Sequence, residues 1–325
     1  MRRGSYQLSA ISFQLKVGFA GLLLGLLGIA PLQATTFYLT VAGLGGEPDY
    51  DTRFHMLADE TDKLLKSGGA ERVVVTLEGA AATKAAVTGA LDKFAHDAKG
   101  PDSLVVMLIG HGTFDGVDYK FNLPGPDLSA GELAAALNRV PASRQMVVNM
   151  TSASGGSIAA LRKEGRVVVS ATRNGTEKNA TVFARFWVEA LRDPAADTDK
   201  NETVSALEAF RYAQLKTTKF YDDQKRLATE HSVMEDTGKG SGEKAPSAEN
   251  GVGLRAAAFP LVRFGTAKTA ATDPQKKALL ERRDQIQAQI DTLKFQKSSM
   301  APEAYKQGLT AALLELAKVQ EAIEK

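Results

Sequence analysis

The chain has 325 residues, 44% hydrophobic and 24% charged, so it can bury one large core or one core with a small appendage. Its formal net charge is only +2, and residues 1–34 carry three of its positive charges and no acidic residue. The remainder is therefore not basic, which leaves no electrostatic footprint for nucleic acid. The absence of cysteine excludes disulfides, thiolate metal sites and a cysteine nucleophile.

The N-terminal segment has the pattern of an export signal. Arg2, Arg3 and Lys16 precede an apolar run over residues 17–32. That run is shorter than the roughly 20 residues of a spanning helix. We therefore predict a signal peptide over residues 1–34, with cleavage after Ala34 and a periplasmic or secreted product. The alternative is an uncleaved anchor, which would be the protein's one contact with the membrane.

Strand-like and helix-like segments alternate through the next 150 residues. Continuous apolar or β-branched runs predict strands, and apolar residues at helical spacing predict helices between them. The predicted strands cover 37–42, 73–77, 104–109, 145–150 and 166–172, and the predicted helices cover 50–65, 83–98, 129–139, 154–163 and 183–191. This alternation predicts an α/β fold with a mostly parallel sheet and helices on both faces.

Two of these strands end in residues that can carry chemistry. The strand over 104–109 runs into Gly110-His111-Gly112, and the strand over 145–150 runs into residues 151–157, which contain Ser152 and two glycines. In parallel sheets, functional groups gather at the carboxyl ends of strands. A histidine between glycines is accessible, and backbone N–H groups near Ser152 and at Gly112 suit an oxyanion. Alone, Gly-His-Gly is more typical of a tight turn with a solvated histidine; the pair of strand ends in one sheet favours a functional or formerly functional site.

Residues 197–208 follow the spacing of an EF-hand calcium loop. Position 6 is Glu202 rather than the glycine that permits the sharp turn, so we expect calcium to bind with reduced affinity. The other interpretation is an acidic loop that caps a helix. The predicted ligands occupy positions 1, 3, 5, 9 and 12: Asp197, Asp199, Asn201, Ser205 and Glu208.

The C-terminal third is predicted to be mainly helical. A long helix is predicted over 204–226, a mobile glycine-rich loop over 237–251 and a last strand over 256–264. In residues 273–325, apolar positions alternate steps of three and four, with a break at 298–302. This pattern indicates an α-helical hairpin of coiled-coil type, which packs on itself or on a protein partner.

With these features in view, the sequence resembles the caspase–legumain–gingipain group of cysteine peptidases, and most closely bacterial legumain-like or caspase-like domain proteins. The family motif runs small residue, catalytic cysteine, any residue, then Ser-Gly. Here Thr151 matches the small residue, Ser152 the cysteine, and Ser154-Gly155 the Ser-Gly, after His111 in the expected order. The resemblance covers roughly residues 36–265 and implies a caspase-like three-layer sandwich over residues 35–268.

The departure from the family is serine in place of the catalytic cysteine. A thiol ionises near pH 8.5, whereas a serine hydroxyl needs a well-aligned base, usually oriented by a third group. The sequence shows no acid placed to orient His111. We therefore expect a pseudopeptidase that binds an extended peptide or a protein partner and requires no cofactor. The alternative is an active hydrolase with Ser152 as nucleophile, His111 as base and the Gly112 N–H as oxyanion donor.

An α/β-hydrolase is a rival from another class. It would order its catalytic residues as serine, acid and histidine, and Ser152, Asp197 and His231 satisfy that order. The Gly-x-Ser-x-Gly pattern of a nucleophile elbow is absent, because Met150 stands two residues before Ser152. We therefore place His231 in a surface loop.

Overall fold

The structure is a computed structural model, and it describes residues 34–68 and 71–325. The predicted signal peptide covers residues 1–34 and, apart from Ala34, lies outside the described residues. Within the described ranges, none of the helices combines the length and the apolar character needed to cross a bilayer.

The elements alternate in the order that the sequence predicts. The strands are β1 (Thr36–Ala42), β2 (Arg72–Leu77), β3 (Ser103–Ile109), β4 (Gly112–Phe114), β5 (Tyr119–Phe121), β6 (Leu128–Ser129), β7 (Arg144–Asn149), β8 (Arg166–Ser170), β9 (Thr203–Ser205), β10 (Val233–Glu235) and β11 (Pro260–Arg263). The helices are α1 (Pro48–Lys66), α2 (Lys84–Asp97), α3 (Ala130–Arg139), α4 (Ile158–Leu161), α5 (Phe183–Ala190), α6 (Ala206–Asp223), α7 (Leu254–Ala257), α8 (Gly265–Ala270), α9 (Pro274–Gln296) and α10 (Pro302–Glu324).

The main sheet has six strands in the order β10-β8-β7-β3-β1-β2. The pairs from β2 to β8 are parallel, and β10 joins the edge antiparallel to β8. Every residue of β3 is buried, because helices cover both faces of the sheet. The edge strand β10 is an element that the sequence analysis missed.

Two hydrophobic cores lie on opposite faces of the sheet. One joins the sheet to α1, α5 and α6, with Trp187 and Phe210 fully buried in it. The other joins the sheet to α2, α3 and α4, with Leu91 and Leu137 fully buried. The predicted α/β class, the mostly parallel sheet and its two helical layers are confirmed.

Two element predictions differ from the structure. The helix predicted over 154–163 is reduced to a 3-10 turn over Ser154–Ser157 and the short α4. Its first residues bond through their side chains instead: the Ser157 hydroxyl donates to the Ser154 carbonyl at 2.6 Å. The strand predicted over 256–264 begins as α7, because the buried Asp236 carboxylate accepts N–H groups from that helix's first turn.

The C-terminal residues form the predicted helical hairpin. Helices α9 and α10 run antiparallel, as the Lys276–Ile323 and Arg282–Glu315 contacts show. The hairpin has one small hydrophobic cluster of its own and shares a second with Ala267 and Ala270 of α8, and both are separate from the two main cores. It is joined to the α/β body by polar contacts, which include the Arg263–Asp284 ion pair at 2.6 Å.

The sequence predicts a mobile loop over 237–251. Its first residues are held by the buried Glu235 carboxylate, which accepts N–H groups from Thr237, Gly238 and Gly240. The mobility of the rest of this loop stays a prediction.

Candidate functional site

The two strand ends that carry His111 and Ser152 meet at one edge of the sheet. Strands β3 and β7 are parallel neighbours, with Leu108 beside Asn149, so both chains leave the sheet at the same level. The Met150 N–H donates to the Leu108 carbonyl at 3.0 Å, which extends the pairing to the start of the Ser152 turn. Residues 110–112 and 151–157 therefore face each other across this edge.

Ser152 is bonded to the Gly112 backbone rather than to a histidine. Its hydroxyl donates to the Gly112 carbonyl at 3.0 Å and accepts the Gly112 N–H at 3.1 Å. The side chain is buried, with 3% of the residue exposed. The Gly112 N–H, which the sequence assigns to an oxyanion, is thus occupied by the serine oxygen.

The His111 imidazole lies against helix α1. Its ring makes edge contacts with Tyr50 and Phe54, with centroids 4.7 Å and 5.1 Å away. Burial lowers the pKa of His111, against the opposing effects of the Gly45 carbonyl and the Glu47 and Asp51 carboxylates. Among the described residues, no hydrogen bond joins this imidazole to Ser152.

Tyr119 of β5 packs against both strand ends. Its hydroxyl lies 2.6 Å from the Thr151 hydroxyl and 3.2 Å from the Asn149 side-chain oxygen. A β-carbon on Gly112 would stand 2.5 Å from the Tyr119 ring and 2.7 Å from the Ser152 carbonyl oxygen. Glycine at 112 is therefore required for this close approach of the two strand ends.

His231 and Glu177 form a pair that the sequence analysis did not identify. The His231 Nδ1 lies 2.7 Å from a Glu177 carboxylate oxygen, and the His231 N–H donates to the same carboxylate at 3.1 Å. Glu177 also accepts the Ala153 N–H on its backbone carbonyl at 2.8 Å. Glu177 lies in an irregular loop without a motif. The strand-like segment Val233–Glu235 was the one sequence signal that could have placed His231 near the sheet.

The residues of the α/β-hydrolase alternative do not form a triad. His231 pairs with Glu177. The Asp197 carboxylate accepts the N–H groups of Asn201 and Glu202 within the acidic loop. Ser152 is bonded to Gly112.

The acidic loop brings three of its five predicted ligands together. Oxygen atoms of Asp197, Asp199 and Glu208 lie within 4.8 Å of one another. Desolvation in the loop and the charge of Glu208 raise the pKa of Asp199 to about 6. Glu202 adopts the left-handed conformation, with φ of 61°, so the turn forms without the expected glycine.

The other two predicted ligands are engaged within the loop. The Asn201 side-chain oxygen accepts the Thr203 N–H at 2.8 Å. Ser205 is the N-cap of α6 and forms a capping box with Glu208. The loop thus caps a helix and also gathers carboxylates, so both interpretations of its sequence describe part of its geometry.

Comparison with known proteins finds likeness at the level of structure alone. No family model and no curated protein matches the chain. The Drosophila initiator caspase Dronc is similar with a TM-score of 0.42 and 11% identity, covering 64% of this chain and 81% of that one. Caspase-1 from Spodoptera frugiperda gives 0.40 and 13%, covering 63% and 89%. A protein from Geobacter sulfurreducens gives 0.40 and 15%, covering 57% and 89%.

These TM-scores all lie below 0.5. The assignment to the α/β class therefore rests on the sheet and its helical layers rather than on these likenesses.

Proposed function

We propose that residues 35–268 form an exported legumain/caspase-like pseudopeptidase domain, which binds an extended peptide or a protein partner without hydrolysing it. The observation that carries the proposal is the reciprocal pair of hydrogen bonds between the Ser152 hydroxyl and the Gly112 backbone. These two bonds join the candidate nucleophile, the Ser152 hydroxyl, to the candidate oxyanion donor, the Gly112 N–H.

A serine nucleophile needs a base within hydrogen-bond reach, about 2.6–3.2 Å. Here the hydroxyl proton points to the Gly112 carbonyl, and the His111 ring packs on Tyr50 and Phe54. Breaking two buried hydrogen bonds and moving His111 off two aromatic rings would both have to precede attack. The geometry favours a silent site.

Peptide binding is supported by the edge that remains. The glycine-rich turns over 43–46 and 110–112 meet there, because the Gly43 N–H donates to the Ile109 carbonyl at 2.8 Å. The exposed glycine of these turns, Gly46, has nothing within 4 Å of a β-carbon position, so an extended backbone can approach closely there. Leu44, 45% exposed beside them, offers an apolar contact.

The test is labelling with a fluorophosphonate probe, which reacts with activated serine hydroxyls. We expect the purified protein to remain unlabelled, as Ser152→Ala does, because no base activates Ser152. Labelling at Ser152 that disappears in Ser152→Ala and His111→Ala would establish the alternative, an active hydrolase with Ser152 as nucleophile and His111 as base.

We also propose that the acidic loop binds calcium. The support is the convergence of the Asp197, Asp199 and Glu208 oxygens, together with the left-handed turn at Glu202. Carboxylate, amide and hydroxyl oxygens are the ligands that calcium prefers. The loop is joined to the hairpin, because the Arg283 guanidinium donates to the Asn201 carbonyl at 2.7 Å.

Calcium that binds only the folded state stabilises it, by about 2.7 kcal/mol at 100 times Kd. We expect millimolar calcium to raise the melting temperature by several degrees, and Asp199→Asn to abolish the rise. Asp92→Asn, in an exposed ion pair on α2, is the control that should keep it. An unchanged melting temperature of the wild type at millimolar calcium would rule out the site.

The hairpin over 273–325 is proposed as a contact for a protein partner. Leu313 and Leu314, in the middle of α10, are 48% and 60% exposed, so they present apolar surface for such a contact.

A further inference from the structure

The loop over residues 171–182, named here the bracket loop, holds the backbone on both sides of Ser152. Its Glu177 carbonyl accepts the Ala153 N–H at 2.8 Å. Its Thr181 hydroxyl donates to the Met150 carbonyl at 2.6 Å. The position of Ser152 therefore depends on the position of the bracket loop.

The turn that the bracket loop holds is strained. Ala153 has a φ of 54°, in the left-handed region that residues with a β-carbon rarely occupy. Such conformations cost about 1–3 kcal/mol and persist only where surrounding contacts impose them. The Glu177–Ala153 hydrogen bond is one of these contacts, so loosening the bracket loop would release the Ser152 turn.

Glu230 anchors the C-terminal end of the bracket loop. Its carboxylate accepts the Val182 N–H at 2.8 Å and the Phe183 N–H at 3.2 Å, where the loop enters α5. It also accepts the Tyr221 hydroxyl of α6 at 3.0 Å. Only 3% of Glu230 is exposed, so this anchor is a carboxyl group taken out of water.

The groups around Glu230 do not neutralise it. The bracket loop contributes the Glu177 carboxylate, which is itself paired with His231, the residue next to Glu230. Helix α6 contributes the Tyr221 hydroxyl. The positive charge of Arg226 opposes the rise that burial causes in the pKa of Tyr221. Helix α5 contributes backbone N–H groups alone. Among the described residues, no cationic side chain forms a salt bridge with Glu230.

We propose that Glu230 makes the bracket loop a pH-dependent clasp on the Ser152 turn, closed in mildly acidic solution and loosened as the pH rises through neutrality. The protonated carboxyl tolerates burial beside Glu177. The ionised carboxyl is repelled by Glu177 and is better solvated when the loop opens.

The direction follows from proton linkage. Burial, and then the charge of Glu177, raise the pKa of Glu230 to about 7, although the N–H donors and Tyr221 act against them. In the open loop the group is an ordinary glutamic acid with a pKa near 4.3. Because the pKa of Glu230 is higher in the closed loop, Glu230 stabilises the closed loop fully below the open-state pKa. This stabilisation is lost as the pH rises to about 7.

The experiment is hydrogen–deuterium exchange of the purified full-length protein at pH 5 and pH 8, corrected for the intrinsic exchange rate. We expect the protection of amides in 171–183 to fall roughly ten- to a hundredfold at pH 8. Amides of β3, which is buried in the middle of the main sheet, serve as the internal reference. Equal protection of the bracket loop at the two pH values, relative to β3, would overturn the proposal.

Two variants assign the effect to Glu230. Glu230→Gln cannot ionise and should remove the pH dependence, whereas Glu249→Gln, an exposed residue, should leave it intact. Should Glu230→Gln fail to fold, Tyr221→Phe removes a donor to the ionised form and should extend the loss of protection to higher pH. A pH dependence that survives unchanged in Glu230→Gln, or in Tyr221→Phe where that variant is used instead, would also overturn the clasp.

The consequence for binding rests on the proposed function: a peptide held at this edge should bind more tightly at pH 5 than at pH 8. Failure of peptide binding at both pH values would count against the proposed function alone. The exchange experiment tests the clasp without any ligand.

Discussion

At the scale of single residues, Gly112 is a position on which the geometry of the Ser152 site depends. Its backbone makes both hydrogen bonds to the Ser152 hydroxyl, and the Tyr119 ring lies where a side chain would project. No other residue type combines that backbone approach with that packing.

Gly112→Ala should therefore destabilise the protein. The added methyl group would overpack a buried contact, which costs about 1–3 kcal/mol. Gly89→Ala on α2 is the matched control: its β-carbon meets nothing within 4 Å, and alanine favours a helix by about 0.5–1 kcal/mol. Urea unfolding of both variants is the measurement, and a Gly112→Ala variant as stable as the wild type would contradict the described packing.

The placement of His111 and Ser152 was predictable, because parallel strands must end at a common edge. The directions of their side chains were not, because these depend on contacts between distant residues. His111 turns to Tyr50 and Phe54 of α1, more than fifty residues earlier in the chain. The Glu177–His231 pair joins two irregular loops, for which hydrophobic periodicity provides no signal.

At the scale of elements, the acidic loop and the hairpin are joined by one buried arginine. Arg283 of α9 is 3% exposed, and its guanidinium donates to the Asn201 carbonyl at 2.7 Å and to the Thr203 hydroxyl at 2.8 Å. The hydrophobic clusters at the hairpin, one of which includes Ala267 and Ala270 of α8, do not merge with the main cores, so polar contacts such as these contribute to its attachment.

Arg283→Ala should cost about 2–3 kcal/mol, because it removes charged hydrogen bonds and leaves buried acceptors unpaired. Its neighbour Arg282 pairs with Glu315 in solvent, and Arg282→Ala should change the stability by less than about 1 kcal/mol. Equal effects of the two substitutions on the free energy of unfolding would contradict this view of the attachment.

Helices that carry local signals were predictable, and short elements were not. The sequence Ser129-Ala-Gly-Glu132 has the Ser-x-x-Glu pattern of a capping box, and these two residues form that capping box at the start of α3. The predicted helix after Ser152 failed, because Ser154 and Ser157 serve a buried hydroxyl network that includes Asn149, Ser170 and Thr172. Tertiary hydrogen bonds of this kind have no counterpart in local sequence.

At the scale of the whole molecule, the Ser152 edge and the hairpin lie at opposite ends of the sheet. His111 and Ser152 follow the last residues of β3 and β7. The hairpin reaches the other end, where Lys277 pairs with Glu71 just before β2 begins. A partner bound to the hairpin would therefore leave the Ser152 edge free.

We propose that the edge of the sheet that carries Ser152 binds peptides without cleaving them. The most direct measurement is to incubate the purified protein with a library of extended peptides at pH 5 and to analyse retained and released peptides by mass spectrometry. We predict that a subset is retained intact, and that Gly112→Ala, which disrupts this edge, loses that retention. Cleavage products that form with the wild type and are absent with Ser152→Ala would contradict the account.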